Sequence, residues 1–208
     1  DRDLLMYKLM AQFGIRGRMY DAINCVYSLS TACVKVNNFH TETFQAYYGV
    51  KQGDNLSPTL FNMFLNDLAT GIKQLNLGIV VGDSVISLLL YADDIVLLAP
   101  TEEKLQKQLD FVKDWCNKWK MTVNEDKTQV VHFRPTRYQR STFMWHFGDC
   151  TLEVVDRYKY LGIILHKHMD FSFVSSTLSG AASRAMGMLR YRLKSLKECR
   201  YNSFTKLY

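Results

Sequence analysis

Apolar residues recur along this chain in two rhythms, and the change from one to the other divides it into helices and strands. Leu5, Leu9 and Phe13 share one helical face, which predicts a first helix with Asp3 as its N-cap and Gly14 as its stop. A second helix is expected from about Arg18 to Leu29. Ala32, Val34 and Val36 then alternate with other residues, meet an Asn37-Asn38 turn, and are followed by a returning strand through Phe44, Ala46 and Tyr48. That pattern is a β-hairpin.

Gly49 to Ser57 is a polar, turn-rich loop, and Ser57-Pro58 has the N-cap and first-position chemistry of a helix start. Phe61, Phe64, Leu65, Leu68 and Ile72 make the stripe of the next helix. From Val85 to Ala99 the chain is apolar except at its middle. Another helix is expected from Thr101, with Leu105, Leu109, Val112, Cys116 and Trp119 on one face, acids in its first turn and lysines at its end. A polar turn at Asn124 to Lys127 precedes a strand at Gln129 to Phe133 and a basic loop around Pro135 to Arg140. Strands are predicted at Thr151 to Val155 and Tyr158 to Leu165, and a basic helix over much of Ser176 to Leu196. On that last helix Ala181, Ala185, Leu189, Leu193 and Leu196 stay near one face.

Strands joined mostly by short turns, with helices between some of them, predict an α+β fold: an antiparallel sheet of three or four strands with helices packed on one face. The chain has 208 residues, 48% of them apolar, enough for one compact domain with an appendage. Aromatics at 13% and only 3 prolines exclude a disordered or fibrous chain. Asp1, Arg2, Asp3 and Lys8 interrupt every apolar run near the start, so neither a signal peptide nor a membrane span is expected there, and no membrane partner. The helical pattern is under way within a few residues of Asp1 and no initiator Met stands there, so the chain is read as cut from something longer. Cys25, Cys33, Cys116, Cys150 and Cys199 are odd in number and scattered, which suits a reducing intracellular compartment.

The formal charge of +6, from 26 Lys+Arg against 20 Asp+Glu, fits a nucleic-acid partner. It fits many ordinary basic proteins too. From Arg184 to Lys206 the cations face only Glu198, which makes that end the better surface for phosphates.

Asp93 and Asp94 stand side by side inside the most hydrophobic run of the chain, Ser87 to Ala99. Two neighbouring carboxylates there are costly through desolvation and repulsion. A two-residue turn normally takes Asn-Gly or Asp-Gly, and no glycine is supplied. Breaks of this kind concentrate at functional sites. A divalent cation removes the repulsion, because carboxylates on a tight turn offer hard oxygen ligands for magnesium. The plain alternative is a surface turn with both acids solvated.

Tyr91-Ala92-Asp93-Asp94 between apolar strands resembles the catalytic hairpin of reverse transcriptases. Upstream, Gly49 to Pro58, running into Leu60-Phe61-Asn62 and Leu65-Asn66-Asp67-Leu68, resembles the loop and helix that LINE-type (non-LTR retrotransposon) enzymes place beneath template and incoming nucleotide. Downstream, Asn124 to Thr128 resembles the loop bearing the family's lysine, and Tyr158-Lys159-Tyr160-Leu161-Gly162 resembles the primer-gripping hairpin. The four motifs occur in the family's order, and the match spans roughly Asp3 to Leu165.

The resemblance implies a reverse transcriptase palm over residues 1–170 and the start of a helical thumb or connection over residues 171–208. It implies Asp93 and Asp94 as metal ligands for two Mg2+ ions, with Lys127 as the catalytic group that protonates the pyrophosphate or holds its charge. Gln52, Gly53, Tyr91 and Ala92 would meet nucleotide and template, Tyr160, Leu161 and Gly162 the primer, and Arg190 and Lys194 the duplex. RNA template, DNA primer, deoxynucleoside triphosphates and other domains of the same polyprotein are the implied partners, in a ribonucleoprotein of nucleus and cytoplasm. Asp1-Arg2-Asp3-Leu4-Leu5 resembles the segment just beyond the motif bearing the family's first catalytic aspartate, so that ligand is expected to be missing and the fragment inactive alone. Asp54 stands where relatives commonly carry Cys. His166, His168 and Asp170 could suggest a metal site, but exposed histidines at a strand end are the commoner case. Two other readings stay open: a maturase-like enzyme of group II introns, and a non-catalytic nucleic-acid-binding module or decayed element.

Overall fold

A computed structural model describes residues 1–28 and 30–194, with side chains for all of these except Phe173, Leu193 and Lys194. The described chain mixes helix and short strands, as an α+β fold requires. The described residues form two compact units, one within 1–128 with 143–152, and one of residues 129–142 with 153–194.

The first unit is organised by helix packing. Helix α1 (Arg2–Phe13) is capped by Asp1, whose carboxylate accepts from the amides of Asp3 and Leu4 at 3.0 and 3.2 Å. The cap lies two residues earlier than expected, leaving Asp3 inside the first turn, where its charge suits the helix dipole. Gly14 ends α1 in the left-handed region, as the sequence predicts. Helix α2 covers Arg18–Ser28, α3 Ser57–Leu75 and α4 Glu102–Trp119. Leu56 is the N-cap of α3, Ser57 its first residue, and Ser57 Oγ turns instead to the Tyr27 hydroxyl at 3.0 Å.

Leu60, Phe64, Leu65, Leu68 and Ile72 bury one stripe of α3, which packs on α1 through Leu5, Met6 and Leu9 and on α4 through Leu109, Val112, Trp115 and Trp119. Each such side chain stabilises by roughly 1.5–3 kcal/mol when fully buried. Phe64 meets Trp115 edge-on at 5.8 Å, and a Cβ at Gly71 would stand 2.3 Å from the Phe111 ring. A larger residue at position 71 would therefore displace the Phe111 ring on α4.

The strands pair two by two, six pairs antiparallel and one parallel, and the expected three- or four-stranded sheet is not assembled among the described residues. They run two to four residues, and most pairs close on their own tight turn, so each ladder ends before another strand joins. The early hairpin is split into Thr31–Ala32 with Phe44–Gln45 and Lys35–Val36 with Phe39–His40. A hairpin of Ile79–Val81 with Ser84–Ile86 adds to the expected elements, and Gly82-Asp83 is its turn signal. Leu88–Tyr91 pairs with Asp94–Leu97, and His146–Phe147 with Cys150–Thr151.

In the second unit Gln129–Val131 pairs with Glu153–Val155 in parallel, which corrects the all-antiparallel expectation. The long connection from 132 to 152 permits it, since parallel neighbours need a crossover and not a tight turn. Arg157–Tyr160 and Ile163–His166 form a hairpin, which breaks the continuous Tyr158 to Leu165 strand expected from the apolar pattern and agrees with the hairpin that the resemblance implies at Tyr158 to Gly162. Helix α5 spans Ser172–Lys194 and meets the strand Ile163–His166 near its start, where Val174 is buried. Ala181 and Ala185 of the expected apolar stripe are exposed, and Leu196 falls outside the described residues. No described helix is long and apolar enough to cross a membrane.

Candidate active site

Leu88, Leu89, Leu90 and Tyr91 pair in register with Leu97, Val96, Ile95 and Asp94. Ala92 and Asp93 are therefore the two turn residues, inside the Tyr91 to Ile95 turn expected, whereas Asp94, expected on the turn beside Asp93, opens the returning strand. Ala92 takes φ 51° in place of the expected glycine. Asp93 and Asp94 are both exposed at this tip, while Leu88 at the base is buried and the neighbouring helix α3 touches the strand. The Leu98 amide donates to the Ser87 carbonyl at 2.8 Å and extends the ladder past its last strand pair.

The loop ahead of α3 carries Gln52 and Gly53, both exposed, with Gly53 at φ 85°. Asp54 comes next, and its Oδ1 accepts from the Leu56 amide at 3.3 Å. This gives Asp54 a local role at the entry to α3 that the sequence leaves undefined. Lys127 ends a 3-10 turn (Glu125–Lys127), in which Asn124 Oδ1 accepts from the Lys127 amide at 3.2 Å. Lys113 ties that turn to α4 through Glu125 at 3.3 Å. Lys127 is exposed. Gln52, Asp93 and Lys127 thus belong to one unit, and no hydrogen bond or ion pair joins any two of them among the described residues.

Tyr160, Leu161 and Gly162 lie in the second unit, at the tip of its hairpin. Leu161 and Gly162 have φ 47° and 85°, the two positive values of a type I′ turn. Gly162 therefore answers first to its turn, and a Cβ there would meet nothing within 4 Å. Asp156 and Lys167 clasp the base of this hairpin at 2.6 Å. The Lys167 hydrogen bond holds the Asp156 carboxyl below its usual range, with Arg134 and Arg140 adding to the effect. Arg190 is exposed on α5, and the side chain of Lys194 lies outside those described. His166 and His168 stack edge-on at 5.4 Å, and His168 Nδ1 is paired with the Arg134 carbonyl at 2.8 Å.

Sequence reading misses the charge buried under the first unit. Lys8 is fully buried, its Nζ 2.6 Å from Asp67 Oδ1 and 2.7 Å from the Phe64 carbonyl, with the rings of Trp119, Phe64 and Trp115 around it at 3.8, 4.3 and 4.6 Å. Trp115 Nε1 and Gln12 Nε2 also donate to Asp67, at 3.0 and 3.2 Å. Burial pushes the Asp67 carboxyl up, but the hydrogen bonds from Lys8, Trp115 and Gln12 outweigh it and hold the group below its usual range. The signal is present in the sequence: Lys8 shares the buried face of Leu5 and Leu9.

Two carboxylates on one exposed turn suit a magnesium ion in kind, because such ions take one or two protein carboxylates and complete their shell with water and substrate phosphates. Among the described residues no three His, Cys, Asp or Glu side chains gather into a closed metal cage. Asp93 and Asp94 alone are therefore the hard-oxygen donors that this tip offers such an ion.

The first unit thus presents an Asp-Asp tip on a hairpin that packs against a helix. The family model for reverse transcriptase (RNA-dependent DNA polymerase) matches residues 7–165, and the chain belongs to that family. It is 29% identical over 165 residues to the Pol polyprotein of the type-2 retrotransposable element R2DM of Drosophila melanogaster, covering 76% of this chain and 16% of that protein. It is 27% identical to the RNA-directed DNA polymerase of the mobile element jockey of Drosophila funebris, covering 77% of this chain and 18% of the relative. With the Pol polyprotein of the R2 element of Popillia japonica it shares 36% identity over 55% of this chain and 17% of the relative. The chain thus spans about a sixth of the length of these relatives.

Proposed function

We propose that the chain serves RNA-templated DNA synthesis, transferring nucleotides from deoxynucleoside triphosphates to a primer 3′ end within a retrotransposon polyprotein. The observation that carries this reading is the Asp93-Asp94 pair, exposed at the tip of an otherwise apolar hairpin in a chain of the reverse transcriptase family. In the reaction the primer 3′ hydroxyl gives its proton to water as its oxygen bonds to the α-phosphorus, the bond to pyrophosphate breaks, and Lys127 supplies a proton or positive charge to that leaving group. Asp93 and Asp94 would hold magnesium, which supplies charge neutralisation at the phosphates when bound. Gln52 and Gly53 would present an amide and an unencumbered backbone to template and nucleotide. Tyr91 and Ala92 would line the same tip, and Tyr160, Leu161 and Gly162 would support the primer. The basic residues of α5, Arg190 and Lys194 among them, would follow the duplex as the start of a thumb.

Primer extension with magnesium tests the reading, on this chain and on a version lengthened upstream. The lengthened protein is expected to extend a DNA primer on an RNA template, to lose that activity with Asp93→Ala, and to exceed the chain alone, because two carboxylates hold a second ion poorly. Extension that survives Asp93→Ala would sink the assignment.

A further inference from the structure

Tyr27, at the end of α2, is 2% exposed although its ring carries a hydroxyl. That hydroxyl stands 3.0 Å from Ser57 Oγ and donates to Asp54 Oδ2 at 3.5 Å. The Tyr27 carbonyl accepts from Arg2 Nη1 at 2.7 Å, while Arg2 Nε donates to the Gly49 carbonyl at 3.0 Å. The Arg2 guanidinium also sits 5.3 Å from the Tyr27 ring centroid, and Lys51 Nζ 5.8 Å from it. Gly49, Lys51 and Asp54 thus all anchor on Tyr27 or on the arginine bound to it. Gln52 and Gly53 lie between the anchors, exposed.

We infer that Tyr27 is a positioning residue that fixes both ends of the Gly49–Asp54 loop, directly through Asp54 and through Arg2 at Gly49. The inference rests on the reading of this loop as the one that meets nucleotide and template. A planar guanidinium bonds two carbonyls from separate segments through donors held in one rigid fork, where a lysine would offer a single flexible point charge. Holding the loop before substrate arrives removes the ordering entropy that binding would otherwise have to overcome. A tyrosine kept only for packing would need its ring and not its hydroxyl.

Amide hydrogen exchange on the whole chain tests this, comparing wild type with Tyr27→Phe, Asp54→Ala and Asp54→Asn. Tyr27→Phe and Asp54→Ala are expected to speed exchange at residues 51–54 roughly threefold to tenfold, the effect of losing one modest hydrogen bond. Exchange inside α3 should stay unchanged, and Asp54→Asn, which keeps an acceptor oxygen, should restore the wild-type rate. Unchanged exchange at 51–54 in both Tyr27→Phe and Asp54→Ala, or equal acceleration throughout α3, overturns the proposal. Photo-crosslinking to an RNA template carrying 5-iodouracil, annealed to a DNA primer, separates the two layers. If exchange responds as expected while the wild type never crosslinks at residues 49–54, the positioning role stands and the template reading of the loop falls.

Discussion

The Lys8 ammonium lies 2.6 Å from the Asp67 carboxylate with its own side chain fully buried, and this pair joins α1 to α3. A buried pair adds little net stability compared with apolar residues of the same volume, yet removing one partner strands the other charge. Asp67→Leu is therefore expected to cost about 3–5 kcal/mol, and Lys8→Met with Asp67→Leu together much less than the sum of the two single changes. Urea unfolding of the four proteins measures the coupling. Additive single effects would show that the pair does not act as a unit.

The same carboxylate sets an acid limit. Its folded pKa lies below the ordinary 3.8, so its contribution is present above that value and is lost as pH falls through the lower, folded one. Thermal midpoints should therefore fall on acidification below about 4. The slope should be shallower in the Lys8→Met, Asp67→Leu double variant. An identical slope in both proteins would assign the acid sensitivity elsewhere.

Helices are the legible part of this fold, because an apolar stripe every three or four residues declares both the helix and its buried face. The α3 and α4 stripes reappear in the core nearly residue for residue. On α5 the same pattern misleads, since a stripe states what could be buried and not whether a partner exists. Strand partners are harder to read: nothing in Gln129–Val131 or Glu153–Val155 says that they pair in parallel, because that choice depends on the path of the chain between them. At the site, adjacent acids among leucines are conspicuous as a local contradiction. Tyr27 and Arg2 are not, since each looks ordinary until folding brings Gly49, Asp54 and Ser57 around them.

The two hairpin turns respond to glycine in opposite ways. Gly162 holds φ 85° with open space around its missing Cβ, so Gly162→Ala should destabilise the hairpin by about 1–2 kcal/mol through backbone strain alone. Ala92 already carries that strain at φ 51°, so Ala92→Gly should be neutral or stabilising by up to about 1 kcal/mol. Exchange protection of the Leu88–Tyr91 and Arg157–Tyr160 amides reads the two effects separately. Destabilisation by both substitutions would show that the Ala92 methyl makes a contact that outweighs its strain.

Manganese, a paramagnetic substitute for magnesium, tests whether the tip and its companions share one cleft. Asp93 and Asp94 offer hard oxygens to an ion that must complete its shell with water or phosphate, so binding to the chain alone should be weak, on the order of millimolar. Titrating Mn2+ into isotope-labelled chain should broaden the amide resonances of residues 91–95 first. Adding a deoxynucleoside triphosphate should tighten the ion, because its phosphates supply the missing ligands. Broadening should then reach Gln52 and Lys127 as well, if nucleotide, loop and lysine converge as the proposed reaction requires. Asp93→Asn with Asp94→Asn should remove the effect at all of these positions while leaving α3 and α4 resonances in place, since both acids are exposed and no core contact depends on them. Broadening that begins instead around Asp156 or Asp170, or that persists in the double variant, would place the ion away from the hairpin and remove the chemical basis of the site.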